Sequence, residues 1–497
     1  MRVEYICHAC LLIDTGDLKI VTDPWFAGPA YCGQWHVFPK PVNTEALSSA
    51  DVILISHGHE DHFHAPSLEK LPKAARVFYP FSWFGGAKEY LGDLGFQDVT
   101  EAVTFKRYEL TKKTSVTYIA NSHDNLIVVE SGGEVLVNAN DALHAYPNSV
   151  IDFYLKVLRE KWPRVDTLFC GFGGASYFPN TINVDGKNDR EIGAIREQLF
   201  AHNFCRVVAG LRPRAAKPFA ADFALLAPAQ RWINEVRFPR AGLAGYYHRH
   251  FGNQGQLTRI HEMYPGDTLE QMELHATSNY RNHLKGGRLD HLTDEQYGDE
   301  IAQLLQVSYI SESEAELLGE EIKENVHERA KSFAAEALKD LSFSLQISDI
   351  AGDNFYNVAI SRSDTRVNRA GNPAANSPLL LKTSSRILGY SFGSEWGGDA
   401  LSIGYGCEID ILDRRAAESG LDRVCIVLLA QFPSARDYLR KDLGRALRYV
   451  VNQSPRRLWA RRRFKAQEAL NYNSSVWLLK RPSELRELYG LPGAENG

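Results

Sequence analysis

One short stretch constrains this chain more than any other. Ser56-His57-Gly58-His59-Glu60-Asp61-His62 follows the apolar run Val52-Ile53-Leu54-Ile55, placing four candidate metal donors, His57, His59, Asp61 and His62, within six residues. A loop leaving the C-terminal end of a buried strand can turn alternate side chains toward one point. His57 and His59 can then hold one metal, while Asp61 and His62 continue around to a second. Imidazole with carboxylate suits Zn(II), Fe(II) and Mn(II), and the ligand types alone do not separate them. A solvated polar loop is the competing account, and both the spacing and the strand context argue against it.

The surrounding sequence has the texture of a layered α/β protein. Arg2–Ile6, Cys10–Asp14 and Leu18–Thr22 read as strands, with Gly16 in the turn between the second and third. Val52–Ser56, Ala75–Tyr79, Ser115–Ala120, Leu126–Ser131 and Glu134–Asn138 continue the series, and Gly132-Gly133 reads as a tight hairpin turn. Asp166–Phe169 and Arg206–Gly210 are expected as further strands, separated by a helix near Asp189–His202. From Leu269 to Leu341 the pattern turns polar and helical, most clearly over Ser311–Leu341. Strands return at Ser342–Ile347, Phe355–Ser361 and Pro378–Lys382, before a helix around Ser384–Ser391 and a Gly-rich segment, Trp396–Gly406. The expected organisation is a catalytic domain over 1–268, a helical connecting region over 269–341 and a second, α+β domain over 342–497.

Composition narrows the function classes. With 497 residues, length alone suggests two to four domains. The formal net charge of −5 does not suggest a nucleic-acid binder, which carries a basic face. No run approaches the ~18 apolar residues of a membrane helix, and the first residues lack the pattern of a signal peptide. The seven cysteines are mostly scattered, which excludes a disulfide scaffold and fits a reducing cytoplasm. The close pair in Cys7-His8-Ala9-Cys10 is either a redox pair or two ordinary strand-end cysteines. A basic cluster at Arg456, Arg457, Arg461, Arg462, Arg463 and Lys465 is either a phosphate-binding patch or a solvated helix face.

His-x-His-x-Asp-His after an apolar strand resembles the metallo-β-lactamase fold superfamily, which implies a four-layer αββα sandwich. Its other landmarks follow in order. Asp23, in Thr22-Asp23-Pro24-Trp25, matches the early aspartate that supports the metal loop by hydrogen bonding. His123 falls where the family places a third His of the first metal, and Asp141 where the bridging carboxylate belongs. Together with Asp61, Asp23 is the expected catalytic support. The family's last His has no counterpart near Arg206–Pro218; Asp222, His248 and His250 are the candidates to replace it. No residue is read as holding an organic cofactor.

Three segments narrow the match further: Thr22–Ala30, Phe172–Pro179 (with Gly173-Gly174) and Arg212–Ala220 are similar to the CMP-N-acetylneuraminate hydroxylase branch. The resemblance spans about residues 1–270 and implies a dinuclear oxygenase acting on a small-molecule substrate. The Cys-x-His and Cys-x-x-His pairs of that branch's Rieske centre are absent from the sequence, so a separate ferredoxin or reductase is the expected electron donor. The expected cofactor is two divalent metals, iron first and zinc second. The same loop also resembles ascorbate-6-phosphate lactonase and N-acylphosphatidylethanolamine phospholipase D. These make a hydrolase, attacking through a metal-bound hydroxide, the alternative. A metal- or partner-binding protein without activity is the third reading. Gly173-Gly174 serves either an anion or close packing, and Arg212 and Arg214 either an anion or the surface. By strand–helix order the C-terminal part resembles the sterol-carrier-like domains of alkyl sulfatases, with roles at the site mouth or in homo-oligomerisation.

Overall fold

Alternation of side-chain direction along the early strands builds the layers. In a computed structural model, Val3, Tyr5, Leu11, Ile13, Ile20, Val52, Leu54 and Phe78 face one core, while Ile6, Leu12, Val21, Ile53, Val77 and Tyr79 face another. That period of two is what a strand buried on both faces requires. The structure describes residues 1–81, 86–174, 180–184, 190–252, 258–281, 289–306, 308–332, 341–361, 364–393, 397–413, 443–452 and 480–493. The basic cluster at 456–465, Trp396 and residues 175–179 lie outside that set.

The first sheet has eight strands, ordered Glu273–His275, Thr268–Glu270, Arg2–Cys7, Cys10–Asp14, Lys19–Thr22, Val52–Leu54, Arg76–Pro80 and Val99–Ala102. The second has seven: Arg259–Ile260, Ala215–Phe219, Thr167–Gly171, Glu134–Asn140, Asp124–Ser131, Thr114–Asn121 and Arg107–Glu109. Their inner faces share a core in which Tyr5, Leu11 and Leu54 meet Tyr118, Ile127, Leu136 and Phe169. Helices Asn148–Lys161, Arg190–Leu211 and Leu243–Phe251 cover the outer face of the second sheet through Leu155, Leu158, Phe204, Val208 and Tyr246. Ala65–Leu68 and Ala87–Asp93 cover the first through Leu68 and Leu91. The result is the helix–sheet–sheet–helix sandwich expected from the sequence. Gly132 and Gly133 both have positive φ, 59° and 84°, as the expected tight turn demands.

Two expectations need correction. Arg206–Gly210 is not a strand; it is the last part of the helix Arg190–Leu211, and the strand of that region is Ala215–Phe219. The helix is buried on nearly every side, so it lacks a polar stripe, and Val207-Val208 imitates a strand. Secondly, the first sheet continues past 268. Thr268–Glu270 pairs antiparallel with Arg2–Glu4, giving that strand its second neighbour, and Glu273–His275 pairs in turn. The region expected to be purely helical therefore begins with two strands, before helices Leu289–Leu304 and Glu312–Ser332.

A third sheet of six strands forms the α+β C-terminal part, ordered Ile182–Val184, Glu408–Ile411, Leu379–Thr383, Leu341–Ile347, Phe355–Ile360 and Thr365–Ala370. Its edge strand, Ile182–Val184, comes from the N-terminal half and pairs parallel with Ile409–Ile411. The apolar cluster on the outer face of the first sheet runs without interruption into this third sheet. Among the described residues no helix is long and apolar enough to cross a membrane.

Candidate metal centre

Strands Lys19–Thr22, Val52–Leu54 and Arg76–Pro80 run parallel, as do Glu134–Asn140, Thr167–Gly171 and Ala215–Phe219 in the second sheet. Their C-terminal ends supply one rim of the sandwich, where loop side chains are free to converge. Asp23 follows the first of these strands in a left-handed conformation, φ 37°. One of its oxygens accepts the Ser56 amide N–H at 2.7 Å; the other accepts the Ser56 hydroxyl at 2.8 Å and lies 3.1 Å from His62 Nδ1. Asp23 thus ties the end of one strand to the start of the His-rich loop.

The loop brings His57, His59, Asp61 and His62 together. His57 Nε2 and His59 Nδ1 are 2.9 Å apart, and Asp124 Oδ1 lies 3.9 Å from His57 Nε2. His62 Nε2 lies 3.4 Å from Asp61 Oδ2 and 3.6 Å from Asp141 Oδ2. Among the described residues, three groups of donors are close enough to hold a cation: His57 with His59 and Asp124; His57 with His62 and Asp141; and His8 with Asp61 and His62. His62 Nε2, Asp141 Oδ1 and His144 Nδ1 are buried without a hydrogen-bond partner. Unpartnered polar atoms of this kind in a buried cluster fit a metal, which would supply the missing partner.

Charge interactions in the cluster are strong. Burial opposes charge on Asp61, but His62 and His8 outweigh it and hold the carboxyl well below the usual range. Burial likewise opposes charge on Asp141, again outweighed by His62, with His144 and His57 adding to it. On His62, burial is outweighed by Asp61, Asp141 and Asp23, so its pKa stands well above an ordinary imidazole. His57 is pushed well below that range by burial, then by His62 and His59. Burial raises the Asp124 carboxyl.

Several expected residues are elsewhere. His123 is exposed in the two-residue turn between Asn121 and Asp124; the side chain directed into the cluster is its neighbour Asp124, which also accepts the Tyr146 hydroxyl at 2.7 Å. Asp222 belongs to none of the three donor groups: its carboxylate is paired with the buried Arg240 guanidinium. His248 and His250 lie on the exposed side of the helix Leu243–Phe251. Cys7 and Cys10 are buried, unbridged cross-strand neighbours in the first hairpin. Gly174 is a packing glycine, since a Cβ there would sit 1.8 Å from Phe200. Arg214 pairs with Asp166 at 3.5 Å.

Other residues of the centre carry no clear signal in the sequence. His8 Nε2 lies 3.0 Å from Asp61 Oδ2, and the Tyr31 hydroxyl donates to Asp61 Oδ1 at 2.5 Å. A hint of His8 exists in Cys7-His8-Ala9-Cys10, where the flanking cysteines are the more conspicuous residues. His144 lies 2.6 Å from the Gly173 carbonyl through Nε2. The Tyr390 hydroxyl, from the C-terminal part, donates to Glu60 at 3.1 Å. A cavity of about 230 Å³ opens on the cluster, lined by His59, Asp61, Asp124, Asp141 and His144 on one side and by Trp35, Tyr146, Arg196, Phe200, Phe223 and Ile403 on others.

The family model described as "Beta-lactamase superfamily domain" matches residues 2–145. Cytidine monophosphate-N-acetylneuraminic acid hydroxylase of Pan troglodytes is 29% identical over 254 residues, which is 48% of this chain and 40% of that protein. The chain thus matches well under two thirds of that relative's length. Among solved structures, CmlA, a diiron β-hydroxylase from Streptomyces venezuelae, aligns with 54% of this chain and 53% of its own at 19% identity, TM-score 0.38. An isothiocyanate hydrolase from Delia radicum gut bacteria aligns with 54% of this chain and 98% of its own at 15% identity, TM-score 0.37. The N-terminal part of this chain, with its two facing sheets and rim of histidines and aspartates, has the metallo-β-lactamase fold, in keeping with its match to the β-lactamase superfamily domain model.

Proposed function

We propose that the chain is a dinuclear-metal oxygenase that hydroxylates a small polar substrate, with electrons from a separate ferredoxin or reductase. The observation that carries this reading is the donor set. Asp124 joins His57 and His59, so His8, His57, His59 and His62 with Asp61, Asp124 and Asp141 form a nitrogen–oxygen set without thiolate. Such a set accommodates iron as well as zinc, and the hydroxylase named above, aligned over about half of this chain, supports iron. Two irons held here would supply the reduction and cleavage of dioxygen.

The protein's own groups divide the remaining work. Asp23 and Ser56 orient His62, and Tyr31 and His8 fix Asp61, so that the donors are held before any metal arrives. The aromatic walls of the cavity keep water away from the reacting end. In this division residues 1–268 carry the chemistry. The α+β part at 342–497 closes one side of the cavity through Ile403.

The hydrolase reading is supported by the superfamily's own name and by the same cluster, in which a metal-bound hydroxide would be the nucleophile. Metal content and turnover separate the two. Protein isolated with two irons per chain, and consuming dioxygen when given reduced ferredoxin, is the result expected. Two zincs with phosphodiesterase or lactonase turnover, and no dioxygen uptake after iron reconstitution, would replace it with the hydrolase.

A further inference from the structure

We propose that Arg196 is the substrate-anchoring residue of this cavity, and that the substrate is a small organic acid whose carboxylate or phosphate it binds. This names the substrate class and rests on the reading of the rim as the active centre.

Arg196 comes from the helix Arg190–Leu211, is only 3% exposed, and lines the same cavity as Asp61, Asp124 and Asp141. Among the described lining residues it alone carries a permanent positive charge. A guanidinium lining a cavity presents a planar fork of donors that suits a carboxylate or phosphate oxyanion. Its guanidinium lies 5.1 Å from the centre of the Phe200 ring, and that ring lies edge-on to His144 at 5.6 Å. Two short ring steps therefore separate the cationic end of the cavity from the donor cluster. Between them the walls are aromatic, with Trp35 stacked on Phe223 at 3.5 Å. An acid held through its oxyanion on Arg196 would lay its carbon skeleton against the aromatic wall, extending toward the metals. The Gly174 position, which admits no Cβ against Phe200, keeps that wall in place.

The test uses the full chain loaded with redox-inert zinc, titrated with benzoate, phenyl phosphate and the neutral benzamide, with calorimetry as the readout. At least one anion is expected to bind about tenfold or more tightly than benzamide, as a charge-assisted contact requires; which of the two prevails identifies carboxylate or phosphate. Arg196→Met should bring that preference to within about twofold, and Arg196→Lys should leave it intermediate. Benzamide binding as tightly as both anions to the wild type would overturn the proposal without any variant. A preference surviving in Arg196→Met would also overturn it, because the anion would then sit on the zinc. Should Arg196→Met not fold, an undiminished preference in Arg196→Lys overturns it equally. Absence of dioxygen uptake would sink the oxygenase reading alone and leave these ratios unchanged.

Discussion

Replacing Asp23 with asparagine separates the role of its charge from that of its shape. The carboxylate can only accept, so the His62 nitrogen 3.1 Å away, Nδ1, must carry a proton. A metal can then use His62 Nε2, the atom that faces Asp61 and Asp141. Asparagine keeps the volume and tolerates the left-handed backbone at φ 37°. Its amide oxygen can still accept the Ser56 N–H, but its NH₂ group then meets His62 Nδ1. That contact favours the opposite tautomer, with the proton on Nε2, and a protonated Nε2 cannot ligate. Loss of an orienting partner of this kind costs roughly 10- to 100-fold in metal affinity, or about 1.4–2.7 kcal/mol. Asp23→Ala, by contrast, leaves the buried Ser56 amide without its acceptor, at about 1–3 kcal/mol, while the Ser56 hydroxyl keeps His57 Nδ1 at 2.9 Å. It should lower the melting temperature of metal-free protein as well as metal affinity. Chelator competition gives the affinities and thermal melts of the metal-free proteins give the stabilities. Wild-type affinity in Asp23→Asn, with affinity lost only in Asp23→Ala, would refute the tautomer argument and leave a merely steric support.

Three further outcomes follow from the geometry. Asp124→Ala should lower the affinity for one of two metals at least tenfold, whereas His123→Ala, in the exposed turn, should leave both unchanged; chelator competition on the two variants decides. Glu197 is fully buried, and burial pushes its carboxyl up to about 7, against the opposing Arg237 and Arg196 guanidiniums. The folded state then holds its proton more tightly than the unfolded chain, so this group's contribution falls as pH rises from about 4.5 through 7, by at most about 3 kcal/mol. Urea midpoints at pH 5 and 7.5 should differ more in the wild type than in Glu197→Gln, and identical differences would dismiss the effect. Gly174→Ala should destabilise by about 1–3 kcal/mol through the clash with Phe200, and a Phe200→Leu background should remove most of that cost in denaturant titrations.

What is legible in the sequence is short-range order. The period-two strands, the Gly132-Gly133 turn and the His57–His62 loop each lie within one element, so their residues can be read in order along the chain. Register across a turn cannot. Asn121 pairs directly with Asp124, so Ser122 and His123 form a two-residue connection, with Ser122 at φ 61°. No glycine marks that turn, and a shift of one position exchanges an outward His for an inward Asp. Asp222 illustrates the other limit. Its partner, Arg240, is brought to it by the fold, and nothing local separates a carboxylate held by a guanidinium from one free to ligate. The end of the helix Arg190–Leu211 resembles a strand because burial on nearly every side erases the stripe that betrays a helix.

The identity of the residue at 124 also bears on charge. Asp61, Asp124 and Asp141, with Asp23 behind them, gather four carboxylates at the base of the cavity, Asp23, Asp61 and Asp124 buried and Asp141 partly so. Protons can offset only part of that charge. One is drawn onto His62 by Asp61, Asp141 and Asp23 against its burial, but His57 is driven toward neutrality by burial and by His62 and His59. The corner formed by His57, His59 and Asp124 is then left with a buried carboxylate whose own pKa burial has raised. Four carboxylates match the charge of two dications, so on the proposed reading the loaded centre is close to neutral with its imidazoles uncharged. An imidazole at position 124 would leave the same pair of dications with an excess positive charge and one fewer oxygen donor. The carboxylate there lowers the cost of burying the positive charge of two dications.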